Sequence, residues 1–218
     1  AVTEAGGTDT FTVVLDAEPD SDVVVSVTSA DTGEVTASPA SLTFTSSNWD
    51  TAQTVTVTGV DDDIIDGSIS TTITMSVDGA RSDNNFDSVA DQTVTVTTSD
   101  DDTAGFTLSK TTAAVTEAGG TDTFTVVLDA EPDSDVVVSV TSADTGEVTA
   151  SPASLTFTSG NWNTAQTVTV TGVDDNIIDG SIDTTITMSV VDARSDDNFD
   201  SVADPTVTVT TSDADMPR

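Results

Sequence analysis

The sequence predicts an all-β protein made of two tandem, seven-stranded antiparallel β-sandwiches, and three features carry that expectation. Residues 1–100 recur as residues 114–213, a repeat of 113 residues (114 − 1) in which eight of the hundred aligned positions differ. That period is longer than the roughly 20–50 residues of a solenoid unit and close to the size of one independent domain. Val, Ile and Phe alternate with Thr and Ser at period two, and no stretch sustains a helical period over about 11 residues. Clusters of Gly, Asp, Pro and Ser break this alternation at short intervals, as the corners of a sandwich require.

Two domains are expected, at residues 1–102 and 103–218. In the first, strand A ends near Val2–Thr3, B runs from Asp9 to Leu15, C from Val23 to Thr28 and D from Glu34 to Thr45. E spans Thr54 to Val60, F Ser70 to Val77 and G Gln92 to Thr98. Seven strands in about a hundred residues fit an immunoglobulin-like sandwich. The run Thr54–Val55–Thr56–Val57–Thr58 has the Val-in, Thr-out register of a sheet with one packed and one wet face. Phe11, Phe44, Trp49 and Phe86 are assigned to packing, because so few aromatics are present to build a core. The stretch Ala104–Gly105–Phe106–Thr107–Leu108–Ser109–Lys110 precedes the second repeat and has no counterpart before Ala1. The first repeat is therefore expected to lack the start of its first strand.

With 39 Asp plus Glu against 4 Lys plus Arg, the net charge is −35. Such a charge repels nucleic acid and anionic membrane and opposes compaction, so cations are the expected partners. The chain holds no Cys and no His, which removes disulfides, thiolate metal sites and imidazole chemistry. No apolar run approaches the roughly 20 residues of a membrane span, and no signal segment opens the chain. A soluble, monomeric fragment without membrane insertion is expected.

Strand parity then sorts the acids. If successive strands alternate in direction, the AB, CD and EF corners and the end of G share one pole. They carry Glu4, Asp31, Asp61, Asp62, Asp63, Asp66, Asp100, Asp101 and Asp102, with no basic residue among them. Clustered like charges destabilise unless a cation holds them, and several hard carboxylate oxygens describe a Ca²⁺ site. Mg²⁺ fits less well, since it keeps more water and takes one or two carboxylates. The plainer reading is a salt-adapted surface of solvated loop acids. Asp83–Asn84–Asn85–Phe86–Asp87 starts like an EF-hand loop, but Ser88 stands where that loop needs Gly.

The order of motifs resembles the Calx-β domain. It runs Val2–Thr3–Glu4–Ala5–Gly6–Gly7, Ser29–Ala30–Asp31–Thr32–Gly33, Val57–Thr58–Gly59–Val60–Asp61–Asp62–Asp63–Ile64–Ile65–Asp66–Gly67 and Val94–Thr95–Val96–Thr97–Thr98–Ser99–Asp100–Asp101–Asp102. The resemblance covers each repeat from end to end and implies a seven-stranded sandwich with Ca²⁺ at its distal pole. The ligands it implies are Glu4, Asp31, Asp61, Asp62, Asp66, Asp100, Asp101 and Asp102 in the first repeat. In the second they are Glu117, Asp144, Asp174, Asp175, Asp179, Asp213 and Asp215. Asp66 and Asp179 stand where that family usually has Glu, and Ala214 interrupts the last acidic triplet.

The function expected is a calcium-rigidified spacer or stalk repeat of an extracellular adhesin or biofilm-type surface protein, partnered by its neighbouring repeats. The acidic end of one repeat leads directly into the next, and a spacer needs copies rather than diversity. The alternatives are direct binding of glycan or ice by Thr rows, and a Ca²⁺-sensor module. No enzyme is expected: without His or Cys only carboxylate pairs remain, and with 39 acids such pairs arise by chance.

Overall fold

A computed structural model describes residues 1–215, so the last three residues of the second repeat as read from the sequence lie outside the described residues. The chain divides into two compact units, Ala1–Asp62 with Asp66–Asp101, and Asp63–Ile65 with the chain from Asp102 onward. Both are β-sandwiches. The few short helices are single turns of 3₁₀, and among the described residues no helix is long and apolar enough to cross a membrane.

The first repeat contains eight strands: β1 (Val2–Thr3), β2 (Thr8–Val13), β3 (Val23–Ser29), β4 (Val35–Ser38), β5 (Ser41–Phe44), β6 (Gln53–Gly59), β7 (Ile69–Val77) and β8 (Gln92–Ser99). One sheet has the order β1-β8-β7-β3-β5 and the other β2-β6-β4. The described residues of the second repeat form nine: β9 (Phe106–Leu108), β10 (Thr112–Thr116), β11 (Thr121–Leu128), β12 (Val136–Ser142), β13 (Val148–Ser151), β14 (Ser154–Phe157), β15 (Gln166–Gly172), β16 (Ile182–Val190) and β17 (Thr206–Ser212). Its sheets run β10-β17-β16-β12-β14 and β13-β15-β11-β9.

The expected count of seven strands needs correction, because strands cross between sheets. The predicted strand D is two strands: β4 pairs with β6, whereas β5 pairs with β3 in the opposite sheet. Pro39 sits at the crossing, after a cis peptide bond from Ser38. Lacking an N–H, it cannot carry a ladder through. Strand A of the second repeat divides in the same way, with β9 on β11 and β10 on β17. The expectation of purely antiparallel sheets also has one exception per repeat: β1 runs parallel to β8, and β10 to β17. These partners lie almost a whole repeat apart in sequence, so no hairpin constrains their direction.

The alternation is realised as read. In β6 Val55 and Val57 point into the core while Thr54, Thr56 and Thr58 take the wetter face. Val23, Val35, Phe44, Val55 and Ile73 are wholly buried in the first core, as Val136, Val148, Phe157, Val168 and Ile186 are in the second. Trp162, the copy of Trp49, packs against the second core from its edge.

Candidate metal centres

The acidic pole is assembled by backbone contacts. Glu4 directly follows β1, where its N–H donates to Ser99 O at 3.1 Å and fastens it beside the end of β8. A turn follows, with Gly6 at φ +77°. Gly59, at the end of β6, lies where a Cβ would strike the Thr3 carbonyl, so only glycine lets β1 pass. β6 then delivers Asp61 and Asp62 to this end. Val60 N–H donates to Glu34 O at 2.9 Å, which places Glu34 at the head of β4 beside them. The loop closes on the far side through Gly67, at φ +74°, whose N–H donates to Asp100 Oδ2 at 2.8 Å.

Two groups of carboxylates result in the first repeat: Glu4, Glu34 and Asp62, and Glu4, Asp100 and Asp102. In each, one oxygen from every residue lies within 4.8 Å of the others. The second repeat also has two groups: Glu117, Asp213 and Asp215, the counterpart of Glu4, Asp100 and Asp102, and Glu147, Asp175 and Asp179, in which Asp179, the counterpart of Asp66, stands where the first repeat has Glu4. Glu4 and Glu117 are each 1 % exposed. Buried carboxylate oxygens without a hydrogen-bond donor converge on these groups: Glu4 Oε2, Glu34 Oε2, Glu147 Oε2 and Asp215 Oδ2.

An orphaned buried acceptor is costly, and an ionised one more so, unless a cation stands against it. The electrostatics agree. The Glu4 carboxyl is pushed up from 4.5 to about 7, first by burial and then by Asp62, Asp100, Asp66 and Glu34. Burial, followed by Asp66, Asp62 and Asp31, also raises Glu34. Burial, followed by Asp179, Asp175, Glu117 and Asp144, raises Glu147. All donors are hard oxygens, the set that suits Ca²⁺.

The residues named from the sequence divide into two sets. Glu4, Asp62, Asp100, Asp102, Glu117, Asp175, Asp179, Asp213 and Asp215 enter these groups. Asp66 stays outside them yet faces both Glu4 and Glu34 electrostatically. Asp31 and Asp144 are exposed at the same pole, and each folds one oxygen back to cap its own turn, accepting from Gly33 N–H at 2.9 Å and Gly146 N–H at 2.8 Å. Asp61, Asp101 and Asp174 are exposed and lie outside the groups.

Glu34 and Glu147 were missed. The sequence reading takes Glu34 as the first residue of strand D, whereas it and Glu147 directly precede β4 and β13, and the available signal is that these strands begin at the acidic pole. Ala214 does not dissolve the second repeat's group. Its N–H donates to Glu117 Oε2 at 3.1 Å, and Asp215 N–H donates to Asp213 Oδ1 at 2.6 Å, so the interrupted triplet still turns Asp215 inward.

The sequence matches the Calx-beta domain over residues 1–102 and again over 99–215, and the chain belongs to that family as a tandem of two domains. Calx-beta domains are non-catalytic modules that bind calcium in homologues. No curated protein matches the chain. Among solved structures, the apo form of the Calx CBD1 domain is 15 % identical, aligned over 52 % of this chain and 100 % of that one, with a TM-score of 0.39. CBD12 of CALX1.2 is 14 % identical over 86 % of this chain and 75 % of that one, at 0.38. The E. coli chaperone DraB is 8 % identical over 52 % of this chain, at 0.38, and the match spans only 57 % of the chaperone.

Proposed function

We propose that this tandem is a calcium-stabilised structural repeat, a spacer in the stalk of an extracellular surface protein such as an adhesin. The carrying observation is the pair of carboxylate groups at one pole of each repeat, with buried oxygens that no donor satisfies. Ca²⁺ supplies the missing positive charge; Glu4 belongs to both groups of the first repeat and can bridge two ions, so two adjacent ion positions are proposed there and one at each group of the second repeat. Near-identity of the repeats supports a length-setting role, for which copies suffice. The charge of −35 supports a setting rich in salt and divalent ions, outside the cell.

The test is thermal unfolding in Ca²⁺, in Mg²⁺ and in chelator. An ion bound only to the folded state raises stability as RT ln(1 + [L]/Kd), so a Ca²⁺-selective rise is expected. Identical curves in all three would reduce the acids to a solvated surface. Small-angle scattering on chelation tests the stiffening separately: an unchanged maximum dimension removes the spacer's calcium dependence while leaving the sites intact.

Membership of a family of structural and regulatory modules supports a second reading, a Ca²⁺ sensor. Affinity separates the two. Sensor sites bind at roughly 10⁻⁷ to 10⁻⁵ M, and extracellular structural modules at roughly 10⁻⁴ to 10⁻³ M.

A further inference from the structure

The segment Asp83–Asn84–Asn85–Phe86–Asp87, which begins like an ion-binding loop, has a different part to play at the pole away from the carboxylate groups. Asp83 is 6 % exposed and directly precedes the single 3₁₀ turn Asn84–Phe86. Its Oδ1 accepts from Asn85 N–H at 2.9 Å and so caps that turn. Its Oδ2 reaches across to the connection between β2 and β3, accepting from Asp20 N–H at 2.7 Å and Ser21 N–H at 3.1 Å. The Asp83 N–H donates to Asp22 O at 2.9 Å, on the same connection. One side chain thus ties the β7–β8 corner to the corner through which the chain passes from one sheet to the other. Ser82 adds a stitch to β3, its Oγ accepting from Val24 N–H at 2.9 Å and donating to Val24 O at 3.2 Å. The second repeat has the same arrangement. Asp196 is 5 % exposed and accepts from Asn198 N–H with Oδ1 and from Ser134 N–H with Oδ2, both at 2.9 Å. Its N–H donates to Asp135 O at 3.1 Å.

We infer that Asp83 and Asp196 are acid-labile latches: each ionised carboxylate holds two corners of its repeat together, and a proton on it releases them. Ionisation matters because both oxygens must accept. A protonated carboxyl turns one of them into a donor, and the groups it faces here are donors already. The carboxylate's charge is sheltered, so it needs partners, and backbone N–H groups are the ones it has. The charged side chains of the two corners beside it are Asp20, Asp22, Asp78, Arg81 and Asp87, and Arg81 turns to Asp78 at 3.8 Å. The Asn85 N–H above all, with those of Ser21 and Asp20, holds the Asp83 carboxyl below its ordinary 3.8 against the opposing effect of burial. A carboxyl lowered by folding contributes stability that is present above the unfolded value and lost as pH falls through the folded one. This is the reverse of Glu4, whose carboxyl is raised. The two poles of the first repeat therefore answer a proton in opposite directions: the carboxylate groups repel less and the latch opens.

The experiment follows amide protection by NMR in the whole chain from about pH 7 to about pH 2, together with the titration of the Asp83 carboxyl itself. Protection of the Asp20, Ser21 and Asn85 amides should hold above 3.8 and fall below it, in step with that titration. The fall should be about tenfold for each unit by which the carboxyl lies below its ordinary value. The Val55 and Val57 amides of β6 should stay protected through this step. Asp83→Asn keeps the shape but offers one acceptor oxygen. It should free either the Asp20 and Ser21 amides or the Asn85 amide already at neutral pH, abolish the acid step, and leave Ser134 and Asn198 protected. Asp196→Asn should do the converse. Loss of protection at Val55 and Val57 at the same pH would assign the step to the whole fold and overturn the latch. Protection that ignores the carboxyl's titration would overturn it as well, as would an Asp83→Asn variant that keeps the parent's protection and acid step.

Discussion

Glu4 and Glu34 come from opposite sheets of the first repeat and bring carboxylate oxygens within 4.8 Å of one another. Each also has an Oε2 that is buried without a donor. A cation between them would tie the end of β1 to the head of β4, clamping the open end of the sandwich. Without one, the same geometry is a repulsive contact sheltered from water.

A substitution at Glu34 should therefore change sign with calcium. Glu34→Gln removes one charge from the cluster and keeps the shape. In chelator the variant should unfold at the same or a higher temperature than the parent, because a like charge has gone. In Ca²⁺ it should unfold at a lower temperature, with affinity at the first repeat reduced by at least about tenfold, or about 1.4 kcal/mol. The check is a pair of melting curves and a calcium titration. Destabilisation by the same amount in both conditions would show that Glu34 serves packing and holds no ion.

Acidity should act in the direction opposite to ordinary acid denaturation. The Glu4 carboxyl stands at about 7 in the folded chain against 4.5 as its ordinary value. Between these values the folded state holds a proton that the unfolded state has released. Stability from this group is full below about 4.5 and lost as pH rises through about 7. Glu34 and Glu147 shift in the same direction. In chelator the melting temperature should fall between pH 5 and pH 8. Calcium, which displaces the proton, should stabilise more at pH 8 than at pH 5. A chelated protein that gains stability across that interval would contradict the repulsive-cluster description.

The pole was legible in the sequence because it depends on strand parity, which is robust to errors of a residue or two at strand ends. Alternation placed Val55 and Val57 inward and put Asp61 and Asp62 at the same end as Glu4 and Asp100. What parity does not reveal is depth. Asp31, Asp61 and Asp101 reach the correct pole but remain exposed, since a turn residue such as Asp31 spends its carboxylate on its own backbone. Glu34 lies deeper because it is the last turn residue before β4, its carbonyl held by Val60 N–H, and a Glu at that boundary carries no turn signal of its own. The sheet crossing at Pro39 was hidden for a similar reason: Glu34 to Thr45 reads as one β-rich stretch, and which sheet each half joins is decided by partners far along the chain.

Four threonines present a different opportunity. Thr71 and Thr98, with their counterparts Thr184 and Thr211, are 1–3 % exposed, and their Oγ1 atoms are buried without partners. A buried hydroxyl left unsatisfied costs about 1–3 kcal/mol, and a methyl in its place fills the same volume. Thr98→Val should thus raise stability by about 1 kcal/mol, and adding Thr211→Val should roughly double the gain because the sites lie in separate repeats. Denaturant midpoints with unchanged slopes would measure it. A loss of stability would mean that each hydroxyl has a partner in solution, such as a water.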